Sequence, residues 1–269
     1  DFEGVWQMFI GKKNKDSIEK VRKILLKDNC KKIIAWTDKA KEEIVSEFPD
    51  LANKIQVIYP AVPMQKIKKS NKRNIQLLFV GRYFYAKGGH ESLEVIDRLT
   101  KKYRNVEGII ISEVPKEILK KYSENKKIKF YGLISQEKLF KEVYPNSDIF
   151  IYPGYSDTFG FAILEAMSFG IPVITVGGST KKEMLRHNQG FVINSNIISW
   201  KGDMPIFKDR NEIINELTKK AKILIEDKNL RKKMSASCTK EIKSGKFSIK
   251  KRNKDMEKIY EEGLNLIVS

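Results

Sequence analysis

Cysteine and histidine are scarce in this sequence. Its 269 residues include two cysteines, Cys30 and Cys238, and two histidines, His90 and His187. A disulfide framework needs more cysteines, and a zinc site needs Cys or His in pairs at short, fixed spacing, which neither residue type shows. Neither histidine is spaced from an acidic residue as in a hydrolase triad, and no cluster of carboxylates indicates another metal. The scarcity argues against a disulfide-stapled domain, a zinc enzyme and a triad hydrolase, and we expect no metal.

Long apolar runs are also missing. No stretch approaches the ~20 apolar residues that span a bilayer, and the first residues lack the basic and then apolar pattern of a signal peptide. Hydrophobic residues nevertheless make up 41% of the chain and aromatic residues 10%, which is typical of a globular protein. We therefore expect a folded cytoplasmic protein with reduced cysteines.

Acidic residues are outnumbered by basic ones. The chain has 34 Asp and Glu against 52 Lys and Arg, a net charge of +18. Such an excess favours polyanionic partners, namely nucleic acid, an anionic membrane surface or phosphorylated small molecules. The basic residues are spread along the whole chain, however, so a general compositional bias explains the charge equally well. Charge alone leaves these alternatives open.

Strand and helix patterns alternate regularly from Ile75 onward. The predicted strands are mostly uninterrupted apolar runs, as in residues 77–80, which is typical of parallel strands covered on both faces. Strands are predicted at residues 75–80, 106–112, 128–131, 148–152, 172–176 and 191–193, with helices between them. This alternation predicts a doubly wound α/β sheet, whose ligand site lies in the loops that follow the carboxyl ends of the strands.

The segments on either side differ from this core. Residues 16–59 read as helix, strand, helix and strand, and residues 210–266 as almost wholly helical. Between the first segment and the core, Pro60 and Pro63 precede a lysine-rich stretch at residues 66–73. That stretch predicts a solvated linker and hence a domain boundary.

The loop after the first core strand contains two cations between glycines. Gly81 and Arg82 follow the strand, and Lys87 precedes Gly88 at the next helix. An arginine offers a planar fork to phosphate oxygens and a lysine a compact point charge, so the pair suits a diphosphate. Two solvated surface cations are the alternative interpretation. The dinucleotide fingerprint and the P-loop pattern are both absent from this loop.

A second loop runs through residues 153–160 into a helix. The free N–H groups at such a helix start bind anions, whereas the spacing of Asp157 just before it favours a role as a cap. Glu165 lies among apolar neighbours in the helix, so it needs a hydrogen-bond partner if the helix is covered. A ligand hydroxyl would serve, and a surface position would remove the need.

A third strand-to-helix turn contains Gly132 and Leu133. Its backbone N–H and C=O groups are able to contact a heterocyclic base. An ordinary turn is an equally good interpretation.

In their order and spacing, these segments resemble the C-terminal domain of the retaining glycosyltransferases of family 4, also called glycosyltransferase group 1. Residues 79–82 with Lys87 and Gly88 look like the family's phosphate loop, and residues 148–174 are similar to its Glu-x7-Glu region. The resemblance covers about residues 75–260. It implies a GT-B fold: an α/β protein with a doubly wound, Rossmann-like C-terminal domain and a partial N-terminal α/β domain.

The resemblance also implies a division of the chain. Residues 1–62 would be the closing part of an N-terminal, acceptor-side domain, and residues 63–246 the nucleotide-sugar-binding domain. Residues 247–269 would be a C-terminal helix that returns to the N-terminal domain. The family's acceptor-facing glycine-rich loop and active-site histidine have no counterpart here. Either they precede Asp1 in a longer natural chain, or this piece binds donor without turnover.

Roles for individual residues follow from the same resemblance. Arg82 and Lys87 would neutralise the donor diphosphate, Asp157 would hold hydroxyls of the donor sugar, and Glu165 would hold those of the ribose. The implied reaction is hexosyl transfer with retention from a UDP- or GDP-sugar to a glycan, glycolipid or glycoprotein, with no metal and no cofactor. The implied donor-binding residues are Gly81, Gly132, Leu133, Thr158, Phe159, Gly160 and Phe161.

Two positions depart from the family pattern. The first acid of the Glu-x7-Glu region is Asp157, whose carboxylate reaches about one bond less far, and this places the identity of the donor sugar in question. Lys181 stands where the family often has Glu, after Gly177 and Gly178.

Other functions remain as alternatives. A different GT-B nucleotide-sugar enzyme, such as an epimerase, would share the fold, although the spacing of Asp157 and Glu165 argues against it. A non-enzymatic nucleic-acid binder would suit the charge, but no recognised motif is present. We therefore expect a nucleotide-sugar donor, a glycan or a lipid- or protein-linked acceptor, and an anionic membrane on whose cytoplasmic face the protein is peripheral. We expect no nucleic acid.

Overall fold

The computed structural model describes residues 15–65, 74–157 and 159–268. The chain divides into two compact units. The smaller unit comprises the described residues up to Val62 together with the segment from Lys243 onward, and the larger unit is Pro63–Ile242. The predicted linker at residues 66–73 and the predicted donor-binding Thr158 lie outside the described residues. The functional identities given above to the three segments stay predictions.

The smaller unit begins with a short α/β arrangement. Its elements are helix α1 (Lys15–Leu26), strand β1 (Ile33–Ala35), helix α2 (Asp38–Glu47), a 3-10 turn (Pro49–Lys54) and strand β2 (Ile55–Val57), and β1 pairs in parallel with β2. Thr37 caps α2, because its hydroxyl accepts a hydrogen bond from Ala40 N at 3.0 Å. Buried Phe48 and Leu51 form the core of this arrangement with apolar residues of α1.

The larger unit is built on a six-stranded sheet in which every neighbouring pair is parallel. The strands are β3 (Ile75–Val80), β4 (Val106–Ile111), β5 (Ile128–Tyr131), β6 (Ile149–Ile151), β7 (Val173–Gly177) and β8 (Gly190–Asn194). Their order is β5-β4-β3-β6-β7-β8. The chain therefore builds the sheet outward from β3 in one direction and then, from β6, in the other. This reversal between β3 and β6 is the place where open α/β sheets bind ligands.

Helices connect these strands and complete the chain. They are α3 (Gly89–Lys102), α4 (Lys116–Tyr122), α5 (Gln136–Lys138), α6 (Phe161–Ser168), α7 (Ser179–Met184), α8 (Arg210–Glu226), α9 (Lys228–Ser244) and α10 (Ile249–Val268). The strands are apolar because they are covered: Leu77, Leu78 and Phe79 in β3 are fully buried. The prediction of a parallel α/β sheet is confirmed, with strand bounds within one residue of those expected.

Residues 136–143 lie between β5 and β6, where the sequence predicts a helix, and the winding of this segment changes along its length. After α5 it continues as a π-helical turn at Leu139–Val143 and then as a 3-10 turn at Tyr144–Asn146, in which Pro145 occupies the first turn. A π-turn shifts the positions of the side chains that follow it, and such turns are frequent at functional sites. Here it precedes Tyr144, a fully buried residue of the candidate site.

A β-hairpin between β8 and α8 is absent from the predicted elements. Strands β9 (Ile197–Lys201) and β10 (Met204–Phe207) pair antiparallel around Gly202 and Asp203. Gly202 has a φ of 60°, the left-handed conformation that glycine adopts without strain. A Gly-Asp pair between two short, partly apolar runs is a hairpin signal, so the sequence did contain the information that the prediction missed.

None of the helices among the described residues is both long and apolar enough to cross a membrane.

Candidate active site

Two loops at the reversal point of the sheet are joined along their backbones. One follows β3 and contains residues 81–88, and the other follows β6 and is described at residues 152–157 and 159–160. Gly154 N donates to Lys87 O at 3.0 Å, and Ser156 N donates to Ala86 O at 3.1 Å. The two loops therefore lie edge to edge at the carboxyl ends of neighbouring strands.

Glycine makes this close approach possible at two positions. Gly88, at the start of α3, has a φ of 76°, and a Cβ atom added there would lie 2.4 Å from Pro153 Cβ. A Cβ atom added at Gly81 would lie 2.8 Å from Lys87 Cβ. Any side chain at Gly88 would strain the backbone and separate the loops.

The joined loops bring Lys87 into contact with Asp157. Lys87 Nζ lies 2.5 Å from Asp157 Oδ1, and the two side chains are only 18% and 13% exposed. Lys87 Nζ also donates to Ser156 O, and the hydroxyl of buried Tyr152 donates to Asp157 Oδ1 at 3.2 Å. The structure thus brings together two residues that the sequence placed in separate loops.

The second oxygen of Asp157 is left without a partner. Asp157 Oδ2 is buried and accepts no hydrogen bond from any described residue. A buried carboxylate oxygen without a donor is costly. A ligand hydroxyl would satisfy it.

A buried lysine close to this pair was not predicted as a site residue. Lys181 is 6% exposed, and its ammonium donates to Pro153 O at 2.6 Å, to Val176 O at 3.2 Å and to Gly154 O. Burial lowers the pKa of Lys181 to about 8, while Asp157 opposes the shift and Lys87 adds to it. The sequence singled out this residue only as a departure from a family pattern.

Glu165 is held by two protein side chains. Its carboxylate accepts a hydrogen bond from Tyr144 Oη at 3.1 Å and another from Gln136 Nε2 at 3.3 Å. Burial raises the pKa of Glu165, and the bonds from Tyr144 and Gln136 oppose that shift. The expectation that Glu165 needs a partner is therefore met within the protein, and its role toward a ribose stays a prediction.

Helix α6 begins without a side-chain cap. Gly160 occupies its N-cap position with a φ of 99°, and no acidic residue lies in the first turn. The free N–H groups of such a helix start attract anions. Beside it Phe159 is buried and Phe161 is 41% exposed, with ring centroids 5.2 Å apart.

The remaining predicted residues lie nearby in the fold but outside these contacts. Arg82 is exposed, with Cζ 5.8 Å from the centroid of the Tyr83 ring, and it makes no ion pair with any described residue. Gly132 and Leu133 follow β5 at an exposed turn, where a Cβ atom added to Gly132 would meet no atom within 4 Å. Gln136 connects this turn to α6 through its bond to Glu165.

A six-stranded parallel sheet with this order, with helices between its strands, defines the class of doubly wound α/β proteins. Residues 63–241 match the family described as glycosyl transferases group 1, and the chain belongs to that family.

Individual relatives are more distant. The chain is 27% identical over 176 residues to an uncharacterised 41.2 kDa protein in the cps region of Klebsiella pneumoniae, a match that covers 60% of this chain and 44% of that protein. It is 24% identical over 165 residues to a phosphatidylinositol N-acetylglucosaminyltransferase subunit of Saccharomyces cerevisiae, covering 58% of this chain and 36% of the subunit. The chain thus spans less than half the length of these two relatives.

Solved structures agree on the fold. A pneumococcal O-GlcNAc transferase in complex with UDP and GlcNAc superimposes with a TM-score of 0.67 at 17% identity, covering 87% of this chain and 45% of that one. This likeness confirms the predicted GT-B fold class.

Substitution of Gly88 by alanine tests the contact between the loops. We expect Gly88→Ala to lower the free energy of unfolding by about 1–3 kcal/mol, because alanine is strained at this positive φ and would meet Pro153. Gly178→Ala is the matched control in the same unit, since its added Cβ meets no atom within 4 Å. Urea denaturation measures both, and equal stabilities of the two variants would contradict the account.

Removal of one hydroxyl tests how Glu165 is held. In Tyr144→Phe we expect the pKa of Glu165 to rise further, because the lost hydrogen bond stabilises its ionised form. NMR titration of the side-chain carboxyl carbon measures this value. Tyr122→Phe, which removes a hydroxyl that donates to Glu94, should leave Glu165 unchanged. An unshifted Glu165 in Tyr144→Phe would refute the contact.

Proposed function

We propose that this chain provides the donor-binding part of a retaining glycosyltransferase, which transfers a hexosyl group from a UDP- or GDP-sugar without a metal ion. The observation that carries the proposal is the Lys87–Asp157 pair with its unpartnered carboxylate oxygen, at the reversal point of a family-typical sheet. Two similar proteins, an N-acetylglucosaminyltransferase subunit and an O-GlcNAc transferase solved with UDP, support a hexosyl donor and a UDP leaving group.

The cationic residues would bind the diphosphate. Lys87 and the start of α6 belong to two loops that are joined by hydrogen bonds, so both would face a phosphate placed beside the joined loops at the carboxyl edge of the sheet. Arg82 is exposed and unpaired by any described acid, which leaves its guanidinium available to a second phosphate oxygen. Negative charge grows on the diphosphate as the glycosidic bond breaks, so these groups would stabilise the transition state more than the bound donor.

The acidic residues would bind hydroxyl groups. Asp157 Oδ2 is the oxygen left for a hydroxyl of the donor sugar, together with backbone N–H groups of Phe159, Gly160 and Phe161. Glu165, kept in place by its two protein partners, would accept hydrogen bonds from the ribose. The exposed turn at Gly132 and Leu133 would lie along the base, because Gln136 ties that turn to Glu165. Thr158 is part of the same proposal by its position in the sequence.

The proposal for the acceptor is based on the net charge of the chain. With a net charge of +18, the chain would be drawn to an anionic membrane surface, and a peripheral position on the cytoplasmic face suits a glycan, lipid-linked or protein-linked acceptor.

Titration with free nucleotides tests the donor site. We expect UDP or GDP to bind the chain, and Lys87→Ala to weaken that binding about 10- to 100-fold, because a charge-assisted hydrogen bond contributes about 1.5–3 kcal/mol. Lys102→Ala, which removes an exposed lysine at the end of α3, is the control and should bind as the unmodified chain does. Calorimetry measures all three proteins. Absence of binding to both nucleotides would contradict the proposed function.

Removal of the carboxylate that pairs with Lys87 tests the competition between Asp157 and phosphate. We expect Asp157→Asn to bind UDP several-fold more tightly, since the ammonium no longer has to leave an ion pair. The same variant should lose affinity for the nucleotide-sugar relative to UDP, because the oxygen proposed to hold the sugar is weakened as an acceptor.

The control for this prediction is Glu137→Gln, which removes one negative charge from an exposed side chain of α5. It should change neither affinity. If Asp157→Asn bound UDP more weakly than the unmodified chain, Asp157 would not be a competitor for the phosphate-binding lysine.

A further inference from the structure

The ammonium of Lys181 is occupied entirely by backbone carbonyls. It donates to Pro153 O, Gly154 O and Val176 O, and an ammonium has three N–H donors. The side chain is buried. Lys181 therefore has no N–H donor left for a ligand, so any effect on a ligand must act through the groups that it holds or through its charge.

Those groups are the first residues of the loop that carries Asp157. Pro153 and Gly154 follow β6, and Val176 lies in β7, so one side chain bridges the carboxyl ends of two neighbouring strands. Lys87 and Ala86 hold the same loop from the opposite side, through the backbone bonds to Gly154 and Ser156. The loop is thus fixed between the residues after β3 and the end of β7.

The charge of Lys181 also lies close to Asp157. The position of a Cβ atom added at Gly154 is 2.6 Å from Asp157 Oδ2 and 3.0 Å from Lys181 Nζ, so the carboxylate and the ammonium are within a few ångström of each other. Lys87 contacts the other oxygen of the same carboxylate. Asp157 therefore lies between two ammonium groups, and the three side chains together carry a net positive charge at neutral pH.

A purely structural role, bridging carbonyls, would require hydrogen-bond donors but not a charge. Burying an ammonium carries a large desolvation cost that a neutral donor would avoid. The lowered pKa of Lys181 reflects that cost. The cost is offset where the charge attracts an anion, and the nearby loops are the proposed site of a diphosphate.

We propose that Lys181 is a positioning residue of the donor site: it fixes residues 153–157 so that Asp157 stays beside Lys87 with its second oxygen open to the donor, and its charge favours the bound diphosphate. This inference rests on the proposed function.

Replacement by methionine removes the ammonium and keeps an unbranched side chain that is one atom shorter. We expect Lys181→Met to remain folded, because Lys87 and Ala86 still hold the loop, and to bind UDP at least about tenfold more weakly. Lys182→Met removes the exposed neighbouring lysine of the same helix and should bind UDP within about twofold of the unmodified chain. Calorimetry with UDP on the full chain measures affinity, and thermal unfolding of the same samples reports on folding.

The pH dependence separates a role of the charge from a role in packing. The groups that face Lys181 are Asp157 and Lys87. Because the pKa of Lys181 is lowered to about 8, most of its charge is lost between pH 7 and pH 9. We expect the affinity of the unmodified chain for UDP to fall by up to about tenfold over this interval, in which the phosphates are already ionised. Lys181→Arg, whose guanidinium stays protonated, should show a flatter profile.

Two results would overturn the proposal. One is a folded Lys181→Met chain that binds UDP as tightly as the Lys182→Met control. The other, which decides the matter if Lys181→Met unfolds, is an affinity of the unmodified chain that does not change between pH 7 and pH 9. If the unmodified chain binds UDP, either result contradicts only the role of Lys181. Failure of the unmodified chain to bind UDP or GDP contradicts the proposed function, and this inference with it.

Discussion

The candidate site depends on one interaction, the ion pair between Lys87 and Asp157. It joins the loops after β3 and β6, the two strands between which the order of the sheet reverses. Strand pairing brings the loops to one edge, the conformation of Gly88 lets them touch, and backbone hydrogen bonds fix their register. That pair and the hydrogen bond from the Tyr152 hydroxyl together orient the carboxylate of Asp157.

The electrostatic balance around this pair favours an anion. Asp157 is the acid that interacts with both Lys87 and Lys181 in the described part of the chain, so this cluster keeps one positive charge that no acid there neutralises. The start of α6 adds the partial positive charge of an uncapped helix. In a partly buried position such charges act more strongly than at an open surface. A diphosphate supplies the opposite charge, and the hydroxyl groups of a nucleotide-sugar suit the carboxylates of Asp157 and Glu165.

Much of this arrangement could be predicted from the sequence, because the determining features are local. Apolar runs define buried parallel strands, and topology places the loops with Lys87 and Asp157 at the same edge. What could not be predicted depends on tertiary contacts. The hydrogen bond between Tyr144 and Glu165 depends on a π-turn, and the hydrophobic periodicity of the sequence does not predict such a turn. Lys181 is buried against carbonyls of another loop, and the position of a lysine in a short helix does not predict such burial. The β9–β10 hairpin is a different case, because its Gly-Asp turn is a sequence signal from which the hairpin could have been predicted.

The central claim is that the pair of Lys87 and Asp157 is a diphosphate site that the protein's own carboxylate occupies when the donor is absent. A crystal structure of the chain in complex with UDP tests it most directly. The account predicts a phosphate oxygen within hydrogen-bond distance of Lys87 Nζ and a longer separation between Lys87 and Asp157 than the present 2.5 Å. UDP bound elsewhere, with the ion pair unchanged, would contradict it.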